Sequence, residues 1–161
     1  MKRTSILFLQ AVIVLFGIGV LAFLLGEPHL EGRNAGATFV EIYFNDPFLA
    51  YVYTASIAFF VALYQAFMLL RYIGQNKVFS RNSVRALGTI KYCAIVIIAF
   101  VLGAEAYLFF VQRKIEEDIA GGVAMGLFII FFSSVIAVAA GVFEKLLQSA
   151  VDMKSENEMT V

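Results

Sequence analysis

A carboxylate, Glu105, sits inside an apolar run from about Leu87 to Val111, and it is the residue of this chain that most invites chemistry. A charged side chain at the centre of a membrane helix costs roughly 2.5–3.5 kcal/mol and often marks an ion, proton or ligand site. Glu105 stands about six residues from one end of its run, roughly 9 Å deep, where water access lowers that cost. At similar depth in the preceding apolar run come Tyr53, Thr54 and Ser56. Glu105 with these three hydroxyl residues is therefore a candidate ligand or proton site. Two plainer readings compete with it: a hydrogen-bonded carboxyl that orients helices, and a carboxylate exposed at a wet mouth of the helix assembly.

Other reactive groups are sparse. His29 is the single histidine; with Glu31 and Glu41 it shares a polar stretch, but the three lack metal-ligand spacing and no metal is expected. Cys93 is the one cysteine, so an intrachain disulfide is impossible, and a small thiol packed in a helix is the expected role. The sequence contains no GxSxG, HExxH or CxxC pattern and no phosphate-cradling glycine loop. Neither an enzyme nor a cofactor is expected.

The elements that must position these residues are read from hydropathy. Hydrophobic residues make up 61% of the 161, and charged residues only 15%, against about a quarter charged in soluble domains. The charges fall into gaps between long apolar stretches. A hydrocarbon core of about 30 Å needs roughly 20 residues of helix, and four runs meet that length, at about 5–25, 48–70, 87–111 and 120–143. Lys2 and Arg3 ahead of the first run resemble a signal peptide, but that run exceeds the usual h-region, and an uncleaved anchor is expected. Asn45-Asp46-Pro47 is a helix start, with an Asx cap and then proline near the first helical position. The expected fold is all-α, one four-pass membrane domain built as a four-helix bundle.

The sign of the gaps sets orientation. The gap from Gly26 to Pro47 holds Glu27, Glu31, Glu41 and Asp46 against Arg33, whereas the gap from Arg71 to Lys91 holds five basic residues and no acid. With both termini inside, nine of the 12 Lys and Arg are cytoplasmic, as the positive-inside rule requires. Both termini are thus expected in the cytoplasm. Formal net charge is +0, which argues against direct nucleic-acid binding.

Helices three and four are expected to outrun the bilayer. Ser80 or Asn82 can cap a helix on which Val84, Leu87 and Ile90 share one face. Beyond Phe143, Leu146, Leu147, Ala150, Val151 and Met153 keep helical spacing among polar residues. The two stripes either bury each other or leave a docking surface for a soluble partner or lipid headgroups. Phe79, Arg81, Arg85, Lys91 and Lys145 are the candidate residues of that surface. The remainder, 154–161, is expected to be a disordered tail. Gly26-Glu27-Pro28 is expected to end helix one, and Phe39 to Phe44 to lie at the interface. Gln10 and Gln65 are placed to hydrogen-bond between helices, and Gly122 and Gly126 form a GxxxG step that permits close helix approach, within the bundle or in a homo-oligomer.

The stretch Lys77-Val-Phe-Ser-Arg-Asn-Ser-Val-Arg-Ala-Leu-Gly-Thr-Ile-Lys91 resembles the signature of the domain of unknown function 2975 family, small bacterial four-pass membrane proteins. Phe79, Ser80, Asn82, Leu87, Ile90 and Lys91 carry the match. The family has no established activity; the resemblance implies a membrane partner of a small helix-turn-helix regulator of transcription. The expected function is a sensory or interaction protein working through its cytoplasmic face. The alternative is a small-molecule or lipid-binding bundle, or a transporter accessory, with an outward-opening site near Glu105.

Overall fold

The computed structural model describes residues 3–30, 38, 47–110 and 120–159. They form four helices, α1 (Arg3–Leu30), α2 (Pro47–Gly74), α3 (Arg81–Phe110) and α4 (Ala120–Met159), and no strand occurs among the described residues. Each helix is long and apolar enough to cross a membrane. Phe8, Leu15, Phe128 and Val138 are 67%, 69%, 64% and 67% exposed. Apolar exposure on this scale is foreign to a soluble monomer and is the lipid face of a membrane protein. The expected interfacial segment Phe39 to Phe44 lies outside the described residues, as do Glu31, Glu41 and the side chain of His29.

Helix ends show where local chemistry and tertiary contact share the work. α2 closes on Asn76, whose φ of 57° is left-handed. The Lys77 N–H donates to the Tyr72 carbonyl at 2.9 Å and the Asn76 N–H to the Ile73 carbonyl at 3.1 Å, the paired bonds of a Schellman cap. Ser80 then caps α3: its Oγ accepts from the Ser83 N–H at 3.3 Å. The Ser83 hydroxyl, fully buried, donates back to the Lys77 carbonyl at 3.1 Å. The turn from α2 to α3 is thus tied by side-chain bonds and does not rely on solvent.

α1 ends later than its sequence suggests. It runs through Gly26-Glu27-Pro28 to Leu30. Proline lacks an N–H, so Pro28 withdraws the usual donor to the Leu24 carbonyl. The Tyr53 hydroxyl of α2 donates to that carbonyl at 2.7 Å, and the helix survives because the freed group is satisfied from a neighbour. α4 also continues further than expected, through 154–159 of the supposed tail. That segment has no Gly or Pro and is rich in good helix formers, and the Gln148 to Asp152 bond of 2.7 Å braces the turn before it. Residues 160 and 161 lie outside the described residues.

Packing among the described residues follows chain order: α1 on α2, α2 on α3, α3 on α4. Named contacts fix the antiparallel register. Ile6 lies on Gly74, Gln10 Nε2 reaches the Phe67 carbonyl at 3.4 Å, and Phe16 meets Phe59 edge-on at 5.9 Å. On the other face of α2, Tyr51 packs on Phe100 at 4.9 Å and donates to the Phe100 carbonyl at 2.7 Å, with its hydroxyl lodged over Gly103. Phe48 stacks on Tyr107 at 6.1 Å. The arrangement brings both described chain ends and the α2–α3 turn to one end, which also carries Arg3, Arg71, Lys77, Arg81 and Arg85; this is the basic end.

Removing the Tyr53 hydroxyl in Tyr53→Phe leaves the Leu24 carbonyl without its donor and should cost about 1–2 kcal/mol. In a Pro28→Ala background, which restores an N–H at position 28, the same change should cost clearly less. Thermal unfolding of the four variants in detergent measures the coupling; equal losses in both backgrounds would show that the tyrosine does not substitute for the missing N–H.

Candidate functional site

Buried residues concentrate where α3 meets α4. On α3 these are Ser83, Val84, Ala86, Leu87, Gly88 and Ala94; on α4 they are Gly126, Ser133 and Ala140. The α4 residues recur every seven positions and are all small. That spacing keeps one stripe facing the partner helix, and small side chains let the two backbones approach.

Close approach is filled by charged side chains lying across glycines. The Lys91 ammonium donates to Glu144 Oε2 at 2.6 Å, joining α3 to α4. A Cβ at Gly88 would stand 2.7 Å from Glu144 Oε1, and one at Gly141 would stand 3.3 Å from Lys91 Cδ. Each partner of the ion pair therefore rests on a glycine of the opposite helix, three residues from the other partner. Both side chains remain about a quarter exposed, and Lys91 also lies 4.7 Å from the centre of the Tyr92 ring. Further along the seam the Glu105 carboxylate occupies the space a Cβ at Gly126 would need, and Leu108 comes within 3.2 Å of one at Gly122.

This geometry redistributes the residues singled out from sequence. Glu105 faces α4 at Gly126, not the three hydroxyls of α2. Tyr53 reaches α1, Thr54 donates to its own helix at the Ala50 carbonyl, 2.8 Å, and Ser56 to the Tyr53 carbonyl, 2.7 Å. The expected grouping fails because back-bonding satisfies Thr54 and Ser56 locally while the α1 proline draws Tyr53 the other way. Gly122 and Gly126 take α3 side chains. Gln10 bonds across helices to α2, and Gln65 is half-buried on α2.

Lys91 also changes role. Grouped by sequence with the partner-facing surface, it instead lies in the seam with Glu144. Phe79, Arg81, Arg85 and Lys145 are exposed. Of the stripes expected to pair, Val84 and Leu87 are buried, while Leu146 and Met153 are each 60% exposed. At the basic end an open notch of about 520 Å³ is lined by Asn76, Lys77, Phe79 and Ser80 from the turn and by Ala150, Met153 and Lys154 from α4.

Sequence reasoning missed three contributors. Ser83 had a readable signal, standing three residues after a cap as in a capping box. Glu144 and Gly88 had a weaker one, since Gly-x-x-Lys and Gly-x-x-Glu are informative only once the two helices are known to be in register; Gly141 was legible as a small position of the last span that permits close helix approach.

Single changes that orphan one charge, Lys91→Met or Glu144→Met, should lower the melting temperature by several degrees in detergent. The double change Lys91→Met with Glu144→Met should recover most of the loss, because a fitted apolar pair can replace an ion pair. Losses that simply add would show that the two residues act independently. Gly126→Val, which forces Glu105 out of its place, should cost about 1–3 kcal/mol.

Comparison with known proteins agrees with a membrane assignment. The chain is 44% identical over 162 residues, covering 100% of both chains, to the "Uncharacterized membrane protein YoaS" of Bacillus subtilis (strain 168). No solved structure matches. The model of the family described as "Protein of unknown function (DUF2975)" matches residues 34–161, a stretch containing the basic turn, the α3–α4 seam and the notch. With most of its length matched to that model and a full-length relative beside it, this chain belongs to the DUF2975 family.

Proposed function

We propose that this protein is a bacterial inner-membrane docking protein, with both termini in the cytoplasm, whose basic end engages a small soluble regulator of the helix-turn-helix class. The observation that carries this reading is the overhang of α4. Its apolar run ends near Phe143, yet the helix continues to Met159, about 16 residues or roughly 24 Å further. A helix built only to span would stop at the interface. This overhang stands beside the capped α2–α3 turn and presents Lys145, Leu146 and Met153 outward, while the turn and the start of α3 present Phe79, Arg81 and Arg85. Phe79 beside Arg81 and Arg85, and Leu146 beside Lys145, fit an acidic protein surface with an apolar centre, while Asp152 and Glu156 are exposed further along α4. The positive-inside argument supports placing that end in the cytoplasm. A sensory role would follow if occupancy of the face responds to the state of the membrane-spanning helices.

Co-purification from solubilised membranes tests the reading. A helix-turn-helix regulator should be recovered with the native chain, and recovery should fall at least about tenfold with Arg81→Glu and Arg85→Glu together. Recovery of no such regulator, or recovery indifferent to both reversals, would sink it.

A further inference from the structure

The docking face draws on two helices, and an ion pair joins them where α4 leaves its apolar run. Phe79, Arg81 and Arg85 come from the turn and the start of α3, whereas Lys145 and Leu146 come from α4. Between them the Lys91 ammonium donates to Glu144 Oε2 at 2.6 Å. Glu144 immediately precedes Lys145 and Leu146, so its direction decides theirs. Successive helical residues turn by about 100°. With Glu144 held toward α3, Lys145 stands about 100° and Leu146 about 200° around α4 from the seam. With Lys91 held toward α4, Arg81 and Arg85 stand about 80–120° around α3. Packing alone fixes this rotation poorly. The buried residues of α4 are Gly126, Ser133 and Ala140, all small, and beyond Ala140 no described residue of α4 is buried. Small residues permit close approach at several rotations, whereas an ion pair across a seam is made at one. Both backbones leave room for it: the Glu144 carboxylate lies against Gly88, and Lys91 Cδ lies against Gly141.

We infer that Lys91 and Glu144 are the positioning residues of the docking face: they lock the rotation of α4 against α3, and so set where Lys145 and Leu146 stand relative to Arg81 and Arg85, without touching the partner themselves. The inference rests on the docking reading of that face. Both side chains are only about a quarter exposed, against 60% for Leu146, so they lie behind the face and not on it. Stability and rotation are separable here. A fitted apolar pair can replace the stability of an ion pair, but it does not specify one rotation as a polar contact does. The two glycines stand in equivalent places, each three residues before the charged residue of its own helix. The site therefore accepts the two charges exchanged as well as in their native order.

The test uses the full chain in bilayer nanodiscs, with spin labels on Asn82→Cys of α3 and Ser149→Cys of α4 in a Cys93→Ser background; both label positions are exposed. Pulsed electron resonance reads the distance between them. The labelled chain with Lys91 and Glu144 intact should give one narrow distribution. Lys91→Met and Glu144→Met should each broaden it. Lys91→Met with Glu144→Met should leave it broad although the melting temperature recovers, and Lys91→Glu with Glu144→Lys should narrow it again. Without labels, recovery of the regulator should fall about tenfold in all three methionine variants and return with the exchanged charges. A distribution that stays narrow in the double methionine variant overturns the proposal. So does regulator recovery that simply follows melting temperature across the four variants, since that is what a purely structural pair would give. If the native chain recovers no regulator, the docking reading fails by itself, while the label distances still decide the rotational lock.

Discussion

Lipid offers helices no hydrogen-bonding partner, and it does not drive apolar faces together as water does. What remains to hold α3 to α4 is close contact, and close contact requires small residues facing one another. The seam is built on that requirement. Gly88, Gly126 and Gly141 give up side-chain volume, and Glu144, Glu105 and Lys91 fill it from the opposite helix. Filling a glycine gap with a charged side chain would be unfavourable if the charge were alone. For two of the three, the 2.6 Å Lys91–Glu144 contact supplies the partner, so packing and electrostatics are met by the same two residues.

The same lack of solvent explains the polar contacts elsewhere. Tyr51 and Tyr53 each direct a hydroxyl to a backbone carbonyl on a neighbouring helix, in opposite directions from α2. Residues two positions apart diverge on a helix, so one tyrosine serves the α3 contact and the other serves α1. Gly103 is what lets Tyr51 reach its carbonyl, since a side chain there would collide with the hydroxyl. Pro28 is what leaves the Leu24 carbonyl in need of Tyr53. In both cases an apparent defect in one helix becomes the attachment point of the next. The hydroxyls of Thr54 and Ser134 instead bond within their own helices, which explains why a polar residue in a span need not mark a binding site.

The two ends of the protein are built differently. At the basic end, the capped turn and the overhanging α4 leave a rigid, cationic and partly apolar surface outside the packed seam. Fixed geometry beside mobile lipid or soluble protein suits recognition, because little order is lost on binding. Glu105 lies towards the opposite end, where its carboxylate is spent on filling the space at Gly126.

Much of this was open to reading from the chain. The number of spans, their approximate limits, the start of α3 near Ser80 or Asn82 and the excess length of α3 and α4 follow from hydropathy and capping chemistry, which are local properties. The resemblance carried by Phe79 to Lys91 was legible for the same reason: it lies in one continuous stretch. The pairing of Glu105 with Tyr53, Thr54 and Ser56 failed because depth along a helix says nothing about the direction in which a side chain points. Lys91 was misread as a surface charge because its partner is more than fifty residues away in sequence. Sequence alone determined that four helices cross a membrane, since apolar length is additive along the chain. Only tertiary structure decided which charge meets which glycine, because that depends on the rotation and register of two helices against each other, and a shift of one residue turns each side chain by about 100°.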